Sequence, residues 1–130
     1  MKKVFLGGTC NGSKWRDKLK LYLSIDYFDP VVKDWTEECQ AEEIRQREIC
    51  DFCLYVITPE MTGVYSIAEV VDDSNKRPDK TIFCICTEES DIGFSIHQFK
   101  SLNQVGKMIE ENGGKYFTSL LDVAKYLNTN

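Results

Sequence analysis

The sequence, 130 residues long, is short of three things: positive charge, histidine and long apolar runs. Sixteen Lys and Arg stand against 21 Asp and Glu, for a net charge of −5. That removes the basic field with which a nucleic-acid or anionic-membrane binder gathers its partner. Neither a nucleic-acid polymer nor a membrane is therefore expected as a partner. The apolar runs Cys53 to Ile57 and Ile82 to Cys86 stop far short of the ~20 residues that cross a bilayer. The apolar start, Val4 to Leu6, breaks at Gly7-Gly8, too early for the ~7 to 15 apolar residues of a secretory signal, so a cytoplasmic location is expected. A single histidine, His97, offers no metal cluster, and Asp72-Asp73 has no third acid or histidine at ligand spacing. No metal and no cofactor is expected. Repeats and low-complexity linkers are missing too, which leaves one domain over residues 1–130.

Hydrophobic residues make up 42% and charged residues 28% of the chain, the composition of a chain that builds its own core. Six cysteines would suit a disulfide scaffold in a small secreted protein, but a reduced state is the better reading here. Cys50 and Cys53 have the C-x-x-C spacing of metal and redox sites, yet they lead into an apolar strand. Cys84 and Cys86 sit inside another strand. They read as small core hydrophobes, with Cys10 the one thiol in reach of solvent.

Short apolar runs alternate with helical stretches, which is the order of an α/β fold. Val4 to Gly7 reads as a first strand, followed by a helix carrying Trp15, Leu19 and Tyr22 or Leu23. Tyr27 to Asp29 reads as a second strand, stopped by Pro30. Asp34-Trp35-Thr36 caps a polar helix from Glu37 to Glu48, whose charges read as a solvated face. Phe52 to Ile57 is the continuous apolar run of a central parallel strand, ending at Thr58-Pro59. A helix through Ile67, Val70 and Val71 gives way to the polar stop Asp72 to Pro78, with Asp72 and Asp73 read as solvated. Thr81 to Cys86 is the fourth strand, and His97 falls on the loop after it. A helix over Leu102 to Glu111, a strand at Tyr116-Phe117 and a last helix opened by Ser119 and Asp122 complete the chain. Five such units make a doubly wound, flavodoxin- or Rossmann-like domain with a five-stranded parallel sheet in the order 2-1-3-4-5.

In this architecture ligands bind beyond the carboxyl ends of the strands, at the switch point between strands one and three. Two loops reach it. Gly7-Gly8-Thr9-Cys10-Asn11-Gly12-Ser13 offers backbone amides to a ligand, or else forms a tight turn with Ser13 as N-cap. The second loop leads to Tyr65-Ser66-Ile67-Ala68-Glu69, where a carboxylate enters the first turn of a helix. Glu69 is a candidate for covalent attack on an anomeric carbon, or the partner of Ser66 in a capping box. Glu43, Arg47 and Glu48 lie at helical spacing and are weaker candidates, as are Trp15 and Trp35 for stacking on a base.

The chain resembles the nucleoside 2-deoxyribosyltransferase-like family. The resemblance rests on Val4-Phe5-Leu6-Gly7-Gly8 with its hydroxyl-bearing loop, on Asp29-Pro30 after the second strand, and on Asp51 heading the third strand before Thr62-Gly63-Val64-Tyr65-Ser66-Ile67-Ala68-Glu69. It covers roughly residues 4–86. It implies that Glu69 is the nucleophile that takes the deoxyribosyl group. Gly7, Gly8, Thr9, Asn11, Asp29, Gly63 and Ser66 then belong to the substrate-binding set. The implied reaction is cleavage or transfer of the N-glycosidic bond of a 2′-deoxynucleoside or deoxynucleotide, a small-molecule partner, in a homo-oligomer. The chain departs from the family's pattern at Phe5, where members commonly carry Tyr, and at Met61-Thr62, which lacks the Asp usual before the Gly. These departures motivate an alternative: a catalytically silent nucleotide-binding module. An NAD glycohydrolase is a third reading by fold analogy alone.

Overall fold

In the computed structural model, which describes residues 1–87 and 92–130, five strands alternate with five helices. β1 is Lys3–Gly8, α1 Trp15–Lys20, β2 Asp26–Phe28, α2 Glu37–Ile49 and β3 Phe52–Ile57. They are followed by α3 Tyr65–Lys76, β4 Thr81–Ile85, α4 Ile96–Glu111, β5 Lys115–Phe117 and α5 Leu120–Thr129. All strand pairings are parallel, in the order β2-β1-β3-β4-β5. The sheet is the doubly wound one expected. No helix among the described residues is long and apolar enough to cross a membrane.

Side chains alternate across the sheet with period two, so each central strand feeds two cores. Val4, Leu6, Leu54, Val56, Ile82 and Cys84 point to one side, where Trp15 and Leu19 of α1 and Val123, Ala124 and Leu127 of α5 cover them. Phe5, Cys53, Tyr55, Ile57, Phe83 and Ile85 point to the other, against Val70 of α3 and Leu102 and Ile109 of α4. Burying each such large apolar side chain contributes roughly 1.5–3 kcal/mol. The edge strands β2 and β5 are only three residues long, which limits the unpaired edge on show. Cys50, Cys53 and Cys84 are buried, and burial pushes the Cys53 thiol up to about 12, so it stays protonated. Cys10 is exposed; Cys39 and Cys86 are half-buried.

Four expectations change. The first helix ends at Lys20, leaving Leu21 and Tyr22 exposed while Leu23 packs on the core from the loop beyond. The third helix does not stop at Asp72: it runs to Lys76, because the Asp73 carboxylate is paired inside the protein and has no need of water. The fourth helix begins at Ile96, well before Leu102, and therefore carries His97 in its first turn. Ser95 and Gln98 form a complete capping box there, while residues 95–101 are exposed and carry no apolar stripe to announce a helix. Lys14, not Ser13, is the N-cap of α1, and the Ser13 hydroxyl accepts from the Trp15 amide at 3.5 Å.

β1 ends at Gly8, whose φ of +123° is a conformation that L side chains rarely adopt. A Cβ there would lie 2.0 Å from the Val56 carbonyl oxygen of the neighbouring strand. Gly8→Ala is therefore expected to cost about 3 kcal/mol or more in a urea unfolding titration. A loss below about 1 kcal/mol would show that β1 can end without this close approach.

Candidate active site

A cavity of about 360 Å³ opens where β1 ends, and its wall draws on α1, α2, α3 and the loop after β2. Gly7 and Gly8 form its floor with Phe5. Glu43 and Arg47 come from α2, Ser66 and Glu69 from α3. Pro30, Val31, Val32, Trp35 and Ile44 add an apolar rim. A second hollow of about 140 Å³ shares Gly8, Cys10, Tyr65 and Ser66 with the first and adds Thr9, Asn11, Thr62 and Gly63.

The residues singled out in the sequence thus fall into three groups. Gly7, Gly8, Ser66 and Glu69 line the main cavity. Thr9, Asn11 and Gly63 line only the smaller hollow. The Thr9 hydroxyl is engaged in accepting the Thr58 amide at 3.0 Å, and its carbonyl accepts Trp15 Nε1 at 2.9 Å and Arg16 Nη1 at 2.7 Å. Asn11 Nδ2 donates to Thr62 Oγ1 at 2.5 Å, tying the two loops together. Asp29 lines neither hollow; it accepts from Lys20 Nζ at 2.6 Å and lies 3.6 Å from Arg16 Nε. Trp15 belongs to the core and Trp35 to the cavity rim. No cluster of three or more metal-ligating side chains exists among the described residues.

The profile of a family described as nucleoside 2-deoxyribosyltransferase like matches residues 1–88. The chain belongs to that family. No curated protein and no solved structure gave a match. The match takes in β1 through β4, every element that lines the two hollows.

The capping box offered as the plainer role for Glu69 does not form in this member of the family. α3 starts at Tyr65, with Val64 as a cap that makes no side-chain bond, so Glu69 falls in the second turn. There its Oε2 faces Arg47 Nη1 at 3.6 Å, with the Glu69 side chain only 14% exposed. Behind it lies a buried network that the sequence reading assigned to solvent. Asp73 is fully buried; it accepts from Arg47 Nη2 at 2.8 Å, Arg47 Nε at 3.2 Å and Tyr55 Oη at 2.5 Å, and it pairs with Arg77. Asp72 accepts from Arg47 Nη2 at 3.1 Å. Of the α2 candidates, only Glu48 lies on an open face. The signal for this network was spacing: Glu69, Asp73 and Arg77 recur every four residues, and Glu43 and Arg47 do the same on α2.

Burial raises the Glu69 carboxyl to about 7. Arg47 pulls it down, and Glu43 and Asp73 add to the rise. Burial also raises Glu43, against the hydrogen bond from Trp35 and the charges of Arg47 and Arg16. Arg47 is weakened by burial but held above its ordinary range by the Asp73 hydrogen bond and the surrounding acids. Burial, with Asp73 beside it, pushes the Tyr55 phenol up, so the phenol stays a donor. The cavity therefore holds two carboxyls that interact, two guanidinium groups, Arg16 and Arg47, and an apolar rim, a setting suited to acid, base or nucleophilic chemistry on a partly polar ligand.

Two outcomes follow. A carboxyl that titrates near 7 when folded, against an ordinary value of 4.5, makes the protein lose stability as pH rises between those values. Glu69→Gln should remove that loss, so the variant gains up to about 3 kcal/mol on the wild type between pH 4 and pH 8 in denaturant titrations. A difference that does not change with pH would contradict the raised value. Asp73→Ala, which strips Arg47 and Tyr55 of their buried partner, should cost about 3–5 kcal/mol by the same measurement.

Proposed function

We propose that the chain breaks the N-glycosidic bond of a 2′-deoxynucleoside or its 5′-monophosphate, with Glu69 as the nucleophile. The observation that supports this most is a largely buried carboxyl, Glu69, in the wall of a cavity floored by Gly7 and Gly8, in a member of this family. A Glu69 oxygen bonds to C1′ as the C1′–N bond breaks and its electron pair leaves with the base. Glu43, the second carboxyl of the cavity, gives the departing nitrogen a proton. A second base or a water then attacks C1′, frees the Glu69 carboxylate and returns a proton to Glu43. In this reading Gly7, Gly8 and Ser66 bound the sugar, and the smaller hollow with Thr9, Asn11 and Gly63 takes its 5′ end. The apolar rim at Val31, Val32 and Trp35 lies against the base, and Asp29 supports the β1 end through Arg16.

Incubation with deoxynucleosides and their monophosphates, plus a second free base, followed by chromatography, should yield an exchanged nucleoside or free base. The active form has Glu69 ionised and Glu43 protonated, so the rate should pass through a maximum in pH, rising along an acid limb near 7 as Glu69 ionises and falling where Glu43 loses its proton. Glu69→Ala should abolish it. Glu43→Gln should slow it by roughly 10²-fold, and by much less for a deoxyriboside whose leaving group needs no proton. No product from the wild type overturns the proposal. A second reading, a binding module without turnover, draws on Phe5, which lines the cavity without a hydroxyl, and on Tyr55, whose hydroxyl is spent on Asp73. It predicts that calorimetry finds nucleotide binding unchanged by Glu69→Gln and no product at any pH.

A further inference from the structure

We propose that Arg47, locked in place by the buried Asp73, is a positioning residue that orients the Glu69 carboxylate and stabilises its charge. The catalytic part of this proposal rests on Glu69 being the nucleophile; the electrostatic part does not.

Asp73 takes two corners of the planar guanidinium, Nε at 3.2 Å and Nη2 at 2.8 Å, and Asp72 takes Nη2 again at 3.1 Å. Asp73 is itself fixed by Tyr55 and Arg77 and is fully buried. A guanidinium gripped along one edge cannot swing, so its remaining corner, Nη1, is aimed. It is aimed at Glu69 Oε2, 3.6 Å away. That separation is too long for a hydrogen bond, so the lone pairs of the carboxylate are not consumed. It is close enough, between side chains 10% and 14% exposed, for strong attraction. The closest approach of the pair thereby steers Oε2 toward α2 and leaves the carboxylate lone pairs for bond formation.

The other charged or titratable groups around Glu69 oppose its ionisation or are neutral. Glu43 on α2 and Asp73 on α3 both add negative charge, and the Tyr55 phenol of β3 stays neutral. Arg16 of α1 acts on Glu43, and its guanidinium is spent on the carbonyls of Leu6, Gly8 and Thr9. Arg47 is thus the cation that keeps Glu69 able to lose its proton near neutral pH.

The test reads Glu69 itself as well as turnover. With carboxyl-labelled glutamate, the Glu69 resonance is identified by its loss in Glu69→Gln and followed by NMR through a pH titration. Arg47→Met combined with Asp73→Asn removes both charges together, so neither is left buried and alone. In this variant the loss of Asp73 offsets part of the loss of Arg47, the stronger influence on Glu69, so the Glu69 midpoint should rise by about half a pH unit, and kcat below pH 7 should fall roughly threefold. KM should change far less, and part of the rate should return at high pH. Arg47→Lys keeps a cation for Asp73 but lacks the fork, so its midpoint should also rise; it serves if the double variant fails to fold. An unchanged midpoint in the folded variants overturns the proposal, whatever happens to the rate. A raised midpoint in a protein whose wild type turns over no nucleoside overturns the nucleophile and leaves the electrostatic role standing.

Discussion

A carboxylate without access to water must be paired or neutral, and Asp73 is paired. Its partners come from three elements: Arg47 from α2, Tyr55 from the middle of β3, and Arg77 just past the end of α3. One buried negative charge therefore fixes how α2 and α3 lie on the sheet, and these are the two helices that form the side walls of the cavity. Satisfying Asp73 also explains why α3 continues through a run of polar residues, and why a tyrosine sits in an otherwise apolar central strand. The cost of desolvating these groups is large and repaid only with good geometry, so the arrangement selects one packing of α2 more than it adds stability.

Around this pivot the architecture follows from simple patterning. The strands were legible because each central one is apolar on both faces, and a parallel sheet covered on both sides needs that. The glycine loop and Glu69 were legible because a doubly wound sheet collects whatever follows strands one and three at one end. Gly8 illustrates the point at atomic scale. A bare Cα lets β1 approach the Val56 carbonyl, and the chain then turns so that Thr9 can bind both the Val56 carbonyl and the Thr58 amide.

What escaped the sequence was charge turned inward. Arg47, Asp72 and Asp73 look like ordinary surface residues, since most residues of these types are. Only their spacing relative to Glu69 and Glu43 hinted otherwise, and spacing within one helix says nothing about which helix will face it. Helix ends were blurred for a related reason. The first turn of α4 is exposed on all sides, so no apolar period marks it, and only Ser95 and Gln98 announce it. Asp29 entered the candidate set by its place in a family motif; it lines neither hollow, and of its partners Lys20 and Arg16 only Arg16 reaches the cavity wall.

The polar character of α2 has one more effect. Its buried residues are Gln46 and Arg47, and it offers the sheet almost no apolar surface. What holds it is the Arg47 cluster with Glu69, Asp72 and Asp73, and lifting it would strand the fully buried Asp73 without that partner. The cavity thus has one wall whose position is set by charge more than by hydrocarbon packing, and the residue that sets it, Arg47, reaches the same carboxylate that the wall encloses.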